Sequence, residues 1–301
     1  MDQNRNIALV LSSGGARGLA HIGVIRALQE NNYQISSVAG SSIGALVGAF
    51  HACGALDKYT DWVCNLDRMD VFNLVDFTFS VQGFVKGEKV FKELKKVIPD
   101  HAIEDMSIPF AAVTTDILSK TEVVMNSGSM YEAIRASTAI PTVIKPLQIG
   151  DANLIDGGVL NPIPVNRVSR VDGDLLLVSN VNANKPYKPK LNTLKAKERE
   201  ESYLNMLDGF KQKWSKLLPG SKSPKEKLGY FELLNRSIDL MQDQLTGYLL
   251  DQYRPDMQVD ISRDVCSTFE FYRAHELIDL GYQTCLETIE LFESNQAQYE
   301  D

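Results

Sequence analysis

The stretch from Ile35 to Phe50 constrains the fold more than any other part of the chain. An apolar run, Ile35-Ser36-Ser37-Val38-Ala39, leads into Gly40-Ser41-Ser42-Ile43-Gly44 and then into Ala45-Leu46-Val47-Gly48-Ala49-Phe50, which reads as a helix. Strand, tight turn and helix around a central serine is the layout of a nucleophile elbow. The turn strains the backbone at Ser42, and side chains at the flanking Gly40 and Gly44 would collide, so glycine is expected there. The hydroxyl then stands at the strand tip, at a helix N-terminus whose dipole favours negative charge on an attacked substrate. An ordinary Gly/Ser turn is the alternative, and the strand–turn–helix context is what weighs against it.

A second glycine turn precedes this one. Residues 7–11 are continuously apolar and read as a buried strand; Gly14, Gly15 and Gly18 follow, and residues 19–31 carry helical periodicity through Leu19, Ile22, Val24, Ile25 and Leu28. Strand–helix–strand–helix within fifty residues predicts an α/β sheet with parallel neighbours. Further strands are expected at 109–116, 120–125, 145–149, 175–181 and 257–259, and helices at 87–98, 130–137, 164–168 and 274–292.

The 301 residues suffice for one large domain or two small ones, and the net charge of −8 argues against a nucleic-acid partner. No apolar stretch approaches the roughly 20 residues that span a bilayer. The first six residues lack the apolar core of a signal peptide. Cys53, Cys64, Cys266 and Cys285 form no C-x-x-C pair and no metal spacing. Reduced, mostly buried thiols in a cytoplasmic protein are expected, with no metal and no cofactor.

Charge is strongly segregated. Residues 185–228 hold twelve basic side chains against five acidic ones, a local charge of +7, so the rest of the chain carries −15. The segment opens on Lys185-Pro186-Tyr187-Lys188-Pro189-Lys190, an extended start. Within it Leu204, Leu207, Phe210, Trp214, Leu217 and Leu218 recur at helical spacing beside Lys211, Lys213 and Lys216. Two readings stand: an interfacial helix that docks on anionic lipid or covers a site, and a helix packed on its own domain with solvated lysines.

Acyl transfer by serine needs a nucleophile, a base and donors for the oxyanion. Ser42 is the nucleophile candidate. Gly14-Gly15-Ala16-Arg17-Gly18 is the oxyanion candidate, because consecutive glycines let backbone N–H groups converge. A dinucleotide loop is the competing reading. Ser13 stands at its first glycine position, and the second strand ends in Gly40-Ser41-Ser42 rather than in an acidic residue. For the base, His21 and His51 fall inside helices, His101 sits beside Pro99-Asp100, and His275 opens the last helix; none follows a strand in a glycine-flanked loop. Leu154-Ile155-Asp156-Gly157-Gly158 instead puts an aspartate at the end of an apolar run. Asp156 could serve Ser42 directly as base if burial raised its pKa. An Asx turn is the plainer alternative.

Gly14-Gly15-Ala16-Arg17-Gly18-Leu19-Ala20-His21-Ile22-Gly23-Val24, Gly40-Ser41-Ser42-Ile43-Gly44-Ala45-Leu46 and Asp156-Gly157-Gly158, in that order, resemble the patatin-like phospholipases. Arg135-Ala136-Ser137-Thr138-Ala139-Ile140-Pro141 resembles the family segment that lines the site. Asn161-Pro162-Ile163-Pro164 and the ending around Phe271, Ala274, Leu277, Ile278 and Gly281 also match. Ser13 departs from the family, which usually has glycine there. The resemblance implies a three-layer α/β/α fold with a central, mostly parallel sheet and a largely helical insertion. It divides the chain into a catalytic core over 1–184, a basic insertion over 185–255, and a closing strand and helix over 256–301. It implies a Ser–Asp dyad of Ser42 and Asp156 that hydrolyses carboxylic esters of lipids through an acyl-enzyme. The oxyanion loop is then 14–18, and Arg17 either supports that loop or meets an anionic substrate. The expected partners are a lipid or small ester and, through the basic insertion, a membrane surface. The rival is a nucleotide-binding or regulatory module without hydrolase activity. The apolar stretch 77–84 is a candidate lining for an acyl pocket.

Overall fold

Strand β1 (Asn6–Leu11) lies inside an eight-stranded sheet, and Ile7 to Leu11 are wholly buried. A strand covered on both faces needs no polar alternation, which is why this run is continuously apolar. The computed structural model describes residues 5–75, 88–141, 143–187 and 230–300. Beyond β1 these form α1 (Ala20–Glu30), β2 (Gln34–Ser41), α2 (Ile43–Ala52), α3 (Leu56–Cys64), α4 (Arg68–Val75), α5 (Glu88–Val97), β3 (Phe110–Asp116), β4 (Thr121–Met125), α6 (Met130–Ser137), β5 (Leu147–Ile149), β6 (Ala152–Asp156), β7 (Leu175–Ala183), α7 (Tyr230–Tyr253), β8 (Met257–Ser262) and α8 (Ala274–Glu300).

The sheet order is β5-β6-β3-β2-β1-β7-β8, with β4 also on β3. Strands β3, β2, β1, β7 and β8 are parallel; β4, β5 and β6 pair antiparallel at one end. The sheet is therefore mixed, with a parallel centre. Alternating residues of β1 feed two cores. Ile7, Leu9 and Leu11 meet a thick layer built by α1, α2, α3, α5, α6 and α8. Ala8 and Val10 meet a thinner one, where Ile163, Val165 and Val168 pack with Leu249 and Leu250 of α7. This is the three-layer α/β/α arrangement.

The chain divides into two compact units, residues 1–187 with 238–301, and residues 188–237. The amphipathic stretch 204–218 and the apolar stretch 77–84 lie outside the described residues. Where a helix was expected over 164–168, the chain makes turns, with the Arg167 N–H on the Pro164 carbonyl. Ile163, Val165 and Val168 are buried there as an irregular cover on the sheet. Among the described residues no helix is long and apolar enough to cross a membrane. All four cysteines are free; Cys266 and Cys285 are buried, Cys53 and Cys64 half-buried.

Candidate active site

The sheet brings Ser42 and Asp156 together although they stand 114 residues apart in sequence. β3 lies between their strands. Ser41, the last residue of β2, is level with Val113, and Asp156, the last of β6, is level with Thr114. The two strands approach β3 from opposite sides and end at the same height. Ser42 Oγ donates to Asp156 Oδ2 at 2.5 Å, and both residues are buried.

The elbow has the strain that its sequence implies. Ser42 sits at φ 54°, ψ −123° and caps α2. A Cβ on Gly40 would fall 2.4 Å from the Gly44 carbonyl oxygen, and one on Gly44 would fall 2.2 Å from that of Leu11. The Ser42 N–H is already taken: it donates to Ser137 Oγ at 2.9 Å, and Ser137 Oγ donates to the Val113 carbonyl at 2.6 Å. Two residues on, the Ala139 carbonyl accepts the Asp156 N–H at 3.0 Å. The segment expected only to line the site thus fixes the backbone of both Ser42 and Asp156. Ile43 fills the space above Gly18, where a Cβ would strike it.

Asp156 is held from its other oxygen by the Gly158 N–H, 2.8 Å from Oδ1. Gly157 is needed because a Cβ there would lie 2.1 Å from the Val113 carbonyl oxygen. Burial pushes the Asp156 carboxyl up to about 6, opposed by the bonds from Ser42 and Gly158. A carboxylate so placed can take a proton near neutral pH.

The glycine turn after β1 continues as a 3-10 turn over Gly15–Leu19. Gly15 has φ 58°, and a Cβ on it would meet the Thr268 carbonyl oxygen at 2.7 Å. The Ala16 N–H is taken by that same Thr268 carbonyl at 2.9 Å. Of the five loop residues expected at an oxyanion hole, Ala16 therefore offers no open donor. Arg17 turns away from the site. Its Nη1 donates to the Arg263 carbonyl at 3.2 Å and its Nη2 to Asn182 Oδ1 at 2.9 Å, so it supports the loop.

Sequence reasoning passed over what lies beneath the loop. Asn182 Nδ2 donates to the Ser13 carbonyl at 2.6 Å, and the Ser13 N–H donates to the Pro162 carbonyl at 2.9 Å. Fully buried His21 donates from Nε2 to the Ser12 carbonyl at 3.0 Å and accepts the Ser179 hydroxyl at Nδ1, 2.8 Å away. Burial lowers its pKa to about 4, so it is a neutral brace. His51 is likewise buried, with its pKa lowered to about 4, and stands away from Ser42 and Asp156.

Ser42 and Gly15 open onto a cavity of about 140 Å³. Leu46 on α2, Tyr59 and Trp62 on α3, Phe91 and Leu94 on α5, and Ile140 after α6 are among its walls. The lining is predominantly apolar, with Thr138 and Thr268 among its few polar residues, which suits a hydrocarbon chain and offers a nucleotide little. Leu56, Tyr59, Thr60 and Val63 are buried at helical spacing, a periodicity that the sequence itself carries. Among the described residues no cluster of three His, Cys, Asp or Glu side chains is arranged to hold a metal ion.

The family model of the patatin-like phospholipases matches residues 9–168. An uncharacterized NTE family protein of Mycobacterium tuberculosis is 33% identical over 95% of this chain and 92% of its own length. The human patatin-like phospholipase domain-containing protein 6 is 27% identical over 92% of this chain and 20% of its own length. Lysophospholipase NTE1 of Pyricularia oryzae is 26% identical over 95% of this chain and 18% of its own length.

Proposed function

The chain belongs to the patatin-like phospholipase family, and we propose that it is a serine acyl hydrolase that cleaves carboxylic esters of lipids through a Ser42–Asp156 dyad. The observation that carries this reading is the direct Ser42–Asp156 hydrogen bond at the opening of an apolar cavity. Asp156 takes the hydroxyl proton as Ser42 Oγ attacks the ester carbonyl carbon. The tetrahedral oxyanion is met by backbone N–H groups of Gly14 and Gly15 and by the N-terminal dipole of α2. Arg17 and Gly18 shape that loop. Asp156 returns the proton to the leaving alcohol, whose C–O bond breaks to give the acyl-enzyme. A water molecule, deprotonated by the same carboxylate, then releases the fatty acid and restores Ser42.

The cavity beside Ser42 supports a substrate with one acyl chain inside and a polar remainder outside. The name of the Pyricularia oryzae relative makes lysophospholipids the first class to try. We also take residues 1–184 as the catalytic core, 256–301 as its completion, and 185–255 as a basic insertion that meets a membrane surface. Hydrolysis of lysophosphatidylcholine, a monoacylglycerol and p-nitrophenyl esters by wild type and by Ser42→Ala tests the reading. Release of fatty acid by wild type alone is expected; equal release by both would refute it.

A further inference from the structure

Two adjacent residues of α7 reach the two halves of the site. Gln242 donates from Nε2 to the Gly158 carbonyl at 2.9 Å. Gly158 is the residue whose N–H fixes Asp156 Oδ1. Asp243 pairs with Arg263 Nη2 at 2.5 Å, and that nitrogen also donates to the Asn182 carbonyl at 2.6 Å. Asn182 holds the Ser13 carbonyl with its side-chain amide and accepts Arg17 from the glycine loop. One line of bonds thus ends on the base turn, and the other ends on the residue before Gly14.

The packing of α7 does not account for these bonds. The helix packs on the thinner core through Leu249 and Leu250. Two to three turns earlier Leu240 and Met241 are 62% and 57% exposed. At Gln242 and Asp243 the helix is attached by polar side chains instead, and their targets are the backbone around the proposed base and oxyanion donors. Proton transfer across a 2.5 Å contact is intolerant of displacement, since misplacing a reacting group by about 1 Å can cost on the order of a hundredfold in rate.

We propose that Gln242 and Asp243 are positioning residues: Gln242 sets the Asp156–Gly158 turn and Asp243 sets the glycine loop, so that docking one turn of α7 assembles base and oxyanion site together. The proposal rests on the dyad reading above. It separates the two residues by what each controls. Without Gln242 the Gly158 N–H is less well held against Asp156, and the carboxylate loses part of what keeps it ionised. Without the Asp243 charge Arg263 loses its anchor, and the loop shifts while Asp156 is untouched.

The test is p-nitrophenyl butyrate hydrolysis by the full chain, with kcat and KM followed from pH 5 to 9. The proteins are wild type, Gln242→Ala, Gln242→Glu, Asp243→Asn, and Leu240→Ser as a surface control on the same helix. Gln242→Ala is expected to lower kcat about tenfold with little change in KM, and to move the acid limb to higher pH. Asp243→Asn is expected to lower kcat by a similar factor and leave the acid limb in place. Leu240→Ser is expected to match wild type. If Gln242→Ala does not fold, the isosteric Gln242→Glu, which lacks the donor, reports the same loss. Wild-type kcat and acid limb in the folded Gln242 and Asp243 variants would overturn the proposal, as would a change in KM alone. Ser42→Ala beside them keeps the two readings apart. Activity that survives Ser42→Ala overturns the dyad, whereas unchanged Gln242 and Asp243 variants in a Ser42-dependent enzyme overturn the positioning role alone.

Discussion

Replacing Asp156 by asparagine should make the protein more stable while abolishing hydrolysis. Asparagine keeps the shape and can still accept the Gly158 N–H that binds Asp156 Oδ1 at 2.8 Å. What it removes is a buried charge. The Asp156 carboxyl is raised from an ordinary 3.8 to about 6, chiefly by burial. Because the folded pKa lies above the unfolded one, the group's contribution is most favourable below the unfolded value and is lost as pH rises through the folded value. A rise of about two units corresponds to about 3 kcal/mol of lost stability once both states are ionised. The advantage of Asp156→Asn should therefore be well under ~1 kcal/mol at pH 4 and grow to about 3 kcal/mol at pH 8. For a chain of this size that is a gain of about 5 °C in melting temperature. Thermal melts of both proteins across pH 4 to 8 provide the measurement. A difference that is constant with pH, or a variant that is less stable at pH 8, would refute the argument that burial of this carboxylate carries its shifted pKa.

Three further outcomes follow from the same geometry. The rate kcat/KM on a soluble ester should rise with pH through an apparent pKa near 6, where Asp156 becomes ionised to act as base; a flat profile from pH 5 to 8 would contradict that role. Ser42→Gly should be more stable than Ser42→Ala by about 1 kcal/mol and melt higher, because φ 54°, ψ −123° strains any residue with a Cβ; equal melting temperatures would show that the elbow stores no strain. Leu46→Phe, one helical turn beyond Ser42 in the cavity wall, should cut octanoyl relative to butyryl ester hydrolysis at least about tenfold, since each excluded methylene forfeits about 0.8 kcal/mol of transfer energy; an unchanged ratio would place the acyl chain elsewhere.

The sequence disclosed the parts of the site that are written in backbone geometry. Gly40 and Gly44 are legible because neither position has room for a Cβ, and the paired glycines after Asp156 are legible because one is jammed against β3 and the other presents its N–H to the carboxylate. The parallel centre was legible in strands with no polar alternation. The antiparallel end was not, since β5 has three residues and β4 and β6 five each. Residues 164–168 misled because Pro164 suits a helix start, while the surrounding apolar side chains in fact point at the sheet as irregular cover. Which N–H groups of the glycine loop stay open was beyond any local pattern: Ala16 loses its own to Thr268, a residue near the far end of the chain. Gln242 lay equally out of reach, being one polar residue on a helix without a motif, given meaning only by the carbonyl it meets.

The central claim is that Ser42 is a nucleophile activated by Asp156 alone. Labelling the intact protein with a fluorophosphonate, followed by mass analysis of the modified peptide, tests it most directly. The label should sit on Ser42 in wild type and be lost in both Ser42→Ala and Asp156→Asn, the latter while still folded. Modification of a different serine, or undiminished labelling of Ser42 in Asp156→Asn, would contradict the dyad.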